Sequence, residues 1–282
     1  KDNTTGSGNV SIGYEALSSN TTGWYNIGIG YQALTGENSA DGNVAIGHEA
    51  LKENTSGGSN VALGAGNLRY NTEGSDLVSV GVGSMFSNTT GNMNVAIGRL
   101  ALYKNTTASD NVAVGTYALY ENTTGSQNTA AGKSSLRNNT IGESNTAYGF
   151  HSLEANTEGK YNTANGYNAL SNNTTADYGT AIGAKALQAN TTGLGNTAVG
   201  TNALESNTTG SSNTVSGWNS MPANTTGSSN VAMGVNSMSA NTTGGFNTAI
   251  GSSSLGLNTT GEGNTAIGND ALYNNTTGVF TY

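Results

Sequence analysis

Asn190-Thr191-Thr192-Gly193-Leu194-Gly195-Asn196-Thr197-Ala198-Val199-Gly200-Thr201-Asn202-Ala203-Leu204-Glu205-Ser206 is one copy of a pattern that fills the whole chain. Gly200 stands 17 residues after Gly183 and 17 before Gly217. The same step runs back to Gly13 and on to Gly268 with no insertion or deletion. Loops between helices absorb length changes, whereas a stacked coil loses register with its neighbours at the first slip. Each 17-residue copy therefore reads as one rung of a solenoid, about sixteen rungs in all, over a single continuous domain spanning residues 1–282.

Outward from the glycine, the residue pattern selects strand over helix. In Val44-Ala45-Ile46 two β-branched residues flank a small one, a period of two. Glycine follows at once, and the Asn-Thr-Thr-Gly turn adds a second, too frequent an interruption for helices. The fold class expected is all-β, a parallel β-solenoid. A second short strand is expected at the Ala-Leu pair, where Leu fills 13 of 16 rungs and Met85, Met221 and Met238 fill the rest. The Leu column and the Ile/Val column are the expected core. Rungs that carry Ala131, Tyr148, Asn165 or Ser216 in the latter are expected to be weaker. Strands stacked about 4.8 Å apart would give a rod roughly 75–80 Å long with ladders of identical side chains. Two further columns stay small: the residue between the apolar strand positions, and the residue before Leu. They indicate either a narrow interior or a surface where a second chain approaches closely, most naturally in a trimer.

Composition narrows the function. Glycine supplies 42 of 282 residues and proline one, charged residues make up 9%, and the net charge is −8. A nucleic-acid partner is not expected, because phosphate neutralisation needs a basic stripe. No apolar run approaches a membrane span, so no membrane insertion is expected from this segment. No cysteine is present, which excludes disulfides and thiolate metal sites. Lys1 and Asp2 run directly into a repeat and Val279, Phe280, Thr281 and Tyr282 follow the last turn. The expectation is a segment of a longer fibre whose open ends call for association.

The core Asn-Thr-Ala-Ile-Gly-x-x-Ala-Leu, as at residues 247–255 with Ser254 in place of Ala, resembles the head repeats of trimeric autotransporter adhesins and the related repeats of phage tail fibres. The resemblance covers essentially the whole chain. It implies a left-handed parallel β-roll, three chains side by side, and binding to host surfaces. It also implies an extracellular place on a cell surface, a secreted fibre or a virion, with a surface glycan or host receptor as partner. The period of 17 is longer than the usual head repeat, and neither an anchor barrel nor a heptad stalk is present in the sequence.

Several motifs compete with this adhesive reading. Asn-x-Ser/Thr glycosylation sequons occur at Asn3, Asn20, Asn54, Asn88, Asn105, Asn122, Asn173, Asn190, Asn207, Asn224, Asn241, Asn258 and Asn275. They suggest a filament coated with glycans along one edge. Against this, Asn71, Asn139 and Asn156 keep Asn-Thr without the sequon, and the other repeated Asn, as at Asn43, Asn60 and Asn264, rarely forms one. Asn is thus favoured for turns and ladders whether or not sugar follows. Ice binding is a more distant alternative, since Thr4 and Thr5 are adjacent and run into Gly6 instead of alternating along a strand. Ile46-Gly47-His48-Glu49-Ala50-Leu51 resembles one hexapeptide of the left-handed-helix acyltransferases, which need three per coil where this chain has one. His48 and His151 occupy different repeat positions and read as surface residues; no catalytic residue, metal site or cofactor is expected. Trp24, Tyr25, Tyr103, Tyr117, Tyr120, Tyr161 and Trp218 sit at variable positions and read as scattered surface aromatics.

Overall fold

A computed structural model describes residues 3–36 and 39–281. The chain forms two compact units, residues 1–143 and 144–282. The first holds β1 (Val10–Ile12) and then one three-residue strand per repeat as far as β8 (Thr129–Ala131). The second runs in the same way from β9 (Thr146–Tyr148) to β16 (Thr265–Ile267). Among the described residues there are sixteen strands, eight in each unit, and no helix. Within each unit neighbouring strands pair in parallel, each residue with the one 17 further on, as Val95 with Val112 and Thr197 with Thr214. Both units are parallel β-solenoids with the 17-residue rung read from the sequence.

The expected second strand does not form. Leu102 and Leu119 both have φ 51°, and Leu100 and Tyr117, two residues before them, lie at φ 56° and 61°. The Ala-Leu segment is a left-handed turn, a conformation that costs an L-residue about 1–2 kcal/mol. Two things hold it there. The Leu102 amide donates to Ala118 O of the next rung at 2.9 Å, and Asn105 N closes the turn on Leu102 O at 3.3 Å. The leucine side chain is meanwhile wholly buried. Rung-to-rung bonding thus continues through the turn without extended backbone, and an apolar pair alone does not reveal which conformation carries it.

The core is also built differently from the expectation. Along each strand the middle residue points inward: Ala45, Ala96, Ala113, Ala181 and Ala198 are fully buried. The Ile/Val column points out, with Ile97 41% and Val114 39% exposed, and the first strand position is half-buried. The interior consists of the Leu column, two small-residue columns and two Asn columns. Alternation gives two faces and cannot say which is inner. Narrowness decides it here, because a coil closed by 17 residues has room for Ala opposite Leu and none for two columns of Ile. The small columns therefore reflect the interior and are closed to a second chain. The landmark glycine is set by the same crowding. Gly98 has φ 135°, and a Cβ there would lie 2.7 Å from the carbonyl carbon and oxygen of Gly115.

Candidate functional site

The turn that carries the sequons is structural in every interior rung. Of the thirteen sequon asparagines, eleven are buried; Asn3 is exposed and Asn275 half-buried. Asn88 Nδ2 donates to Asn71 Oδ1 at 2.7 Å and to Gly91 O at 3.0 Å, and Asn105 repeats both bonds to Asn88 Oδ1 and Ala108 O. Asn71 and Asn139, which lack sequons, make the same ladder bonds. A sugar on Nδ2 would displace one of these bonds and would have to occupy closed interior. The folded rung leaves no site for it at the eleven buried positions. The first threonine of the turn also serves the ladder, Thr89 Oγ1 donating to Thr106 O at 3.0 Å, while Thr90 and Thr107 are exposed.

The second Asn column secures the other side of the turn. Asn230 Oδ1 accepts from Asn247 N at 3.0 Å, and Asn230 Nδ2 donates to Gly244 O at 2.9 Å. Where Leu77 replaces Asn in this column, no side chain among the described residues reaches the Asn94 amide.

Outside the coil, two surfaces stand out. One is the outer face of the strands. No charged residue occurs in any of the sixteen strands, and the outward column carries exposed Ile and Val in each unit, with Ile29, Leu63 and Val80 half-buried. The other is aromatic. Residues one repeat apart stack, so several of the aromatics read as scattered are ladders. Tyr103 and Tyr120 lie face to face at 5.2 Å, and Phe86 extends the stack at 5.1 Å with Tyr70 edge-on at its end. Tyr161 stacks on Tyr178 at 5.3 Å. Trp24 and Tyr25 meet only each other, at 6.2 Å, and Trp218 is exposed without a ring neighbour among the described residues. Phe86 and Tyr70 escaped the sequence reading, although the shared repeat position of Phe86, Tyr103 and Tyr120 announces the stack.

The histidines join separate clusters. His48 is exposed and stacks on Tyr31, which stacks on Tyr14. Beside it, Glu49 binds Lys52 at 2.8 Å and Arg69 at 3.2 Å, and the lysine hydrogen bond above all holds its carboxyl below the usual carboxylate range. His151 contacts Glu154 and Phe150. Glu121 accepts a hydrogen bond from Lys104 at 2.6 Å and raises the ammonium above the ordinary lysine range. Among the described residues, no group of three or more His, Asp or Glu is placed to hold a metal ion.

No family model, curated protein or solved structure matches the chain. The repeat and its geometry carry the functional argument.

Proposed function

We propose that the chain is a structural and adhesive segment of an extracellular fibre, without catalytic activity, and that it self-associates as a trimer or an end-to-end filament. The observation that carries this reading is the outer strand face: an uncharged column in which most of the Ile and Val are exposed, in a chain of net charge −8. Identical copies repel through their acidic surfaces, so contact between copies favours the face free of charge. Burying exposed β-branched side chains there supplies the driving force, at about 25 cal/mol per Å² removed from water. The rung itself supports a mechanical role, since its interior is committed to Leu, Ala and Asn ladders and, within each unit, neighbouring rungs are tied by backbone bonds. The resemblance to adhesin and tail-fibre repeats points the same way. Antibody raised to the repeat should label intact producing cells or particles before permeabilisation. Labelling that requires lysis would contradict the extracellular placement.

A further inference from the structure

The repeats serve as each other's controls, showing what a rung does not need. Directly after the core Leu or Met, residues 18 and 35 are Ser and Thr, and residues 171, 188, 222, 239 and 256 are Ser, Gln, Pro, Ser and Gly. Six consecutive rungs of the first unit instead place Lys52, Arg69, Phe86, Tyr103, Tyr120 and Arg137 at that position. A rung folds without any of these, so the solenoid does not explain them. Residues 76–143 hold four basic and four acidic side chains, the four basic ones being Arg99, Lys104, Lys133 and Arg137 and two of the acidic ones Asp110 and Glu121. Of these two acids, Glu121 is paired with Lys104.

The stripe converges on Tyr117. Arg99 lies 5.6 Å and Arg137 5.4 Å from its ring centroid, and Tyr120 meets it edge-on at 5.6 Å. Arg99 Nη1 donates to Tyr117 Oη at 2.8 Å. Arg99 is exposed, and no carboxylate pairs with it among the described residues. Arg99 and Tyr117 thus present an exposed guanidinium against an amphipathic wall.

We propose that Arg99 and Tyr117 bind a carboxylate-bearing sugar of an acidic polysaccharide, and that Tyr103 and Tyr120 extend the site along the same edge. The guanidinium fork matches a carboxylate in a bidentate way, which an ammonium cannot do. Tyrosine offers an apolar ring and a hydroxyl to the mixed surface of a sugar. Nucleic acid fits less well. Single strands bind by stacking bases on open ring faces, and here Phe86, Tyr103 and Tyr120 cover one another's faces. This deepens the adhesive reading by naming a ligand class, and it depends on that reading for its biological setting.

The test is titration calorimetry of the full chain with oligogalacturonate, compared with dextran, poly-glutamate and single-stranded DNA. Arg99→Thr and Tyr117→Asn introduce residues that other rungs hold at those positions, as Thr201 and Asn202, so both variants keep the fold. Oligogalacturonate is expected to bind and dextran not, with each variant weakening binding at least tenfold and Lys185→Asn leaving it unchanged. Absence of oligogalacturonate binding, unaffected variants, or equal binding of poly-glutamate or DNA would overturn the proposal. Scattering on the same samples separates the outcomes: a chain that associates but does not bind loses this site and keeps the fibre reading.

Discussion

At the scale of single residues, asparagine accounts for more of the rung than any apolar side chain. Each interior Asn of the turn bonds within its own rung and to a neighbouring one, and an Asn of the second column, such as Asn230, bonds the rungs on both sides, so a substitution strands partners beyond its own rung. Asn230→Ala leaves the buried Asn247 amide without its acceptor and should cost about 2–4 kcal/mol, one orphaned donor plus one lost bond. Leu77→Asn tests the converse. It offers the Asn94 amide the acceptor that other rungs enjoy but removes a fully buried leucine, so it should cost under about 2 kcal/mol, less than Asn230→Ala. Denaturant midpoints of the two variants check this order, and a loss at Leu77→Asn as large as that at Asn230→Ala would contradict the ladder account. That asparagine is structural was legible from the sequence, because Asn71, Asn139 and Asn156 persist where no sequon exists. The burial of the sequon amides was not legible, since a turn residue can point either way and only closure of the coil turns it inward.

At the scale of the element, the strand and its period were legible and its sidedness was not. Val44-Ala45-Ile46 announces alternation, but the larger residues face outward because the coil is too narrow for them. Stability should follow the observed faces. Leu119→Ala removes a fully buried side chain and should cost about 2–5 kcal/mol, whereas Val114→Ala on the outer face should cost under about 1 kcal/mol in the dissociated chain. Hydrogen exchange gives a second check. With Ile and Val taken as core, the rungs of Ala131 and Asn165 would open more easily. With Ala130, Leu136, Ala164 and Leu170 as the buried residues, those rungs are as well packed as their neighbours. Amides of Gly132 and Gly166, bonded at 2.8 Å to Val114 O and Tyr148 O, should be protected as well as those of Gly98 and Gly200. Faster exchange confined to Gly132 and Gly166 would restore the earlier assignment of the core.

At the scale of the whole molecule, the thin interior bears on association. Interior rungs bury one Leu or Met each, with Leu77 an addition, and mostly Ala or Ser in the two small columns, against about 1–2 kcal/mol of backbone ordering per residue. The Asn ladders offset part of this, and the contact between copies proposed for the outer strand face would offset more. The sequence pointed to association through the Ala/Ser columns, end to end, or both, and those columns are inside the coil. On the observed faces, Ile97→Lys together with Val114→Lys should leave the rung intact and dissociate the assembly, because each copy would bring two charges into the contact. Light scattering of the dilute, folded native chain measures the outcome most directly. The account predicts a mass near three times the 28.4 kDa chain, or larger filaments that grow with concentration. A folded chain that stays at 28.4 kDa at every concentration would contradict it.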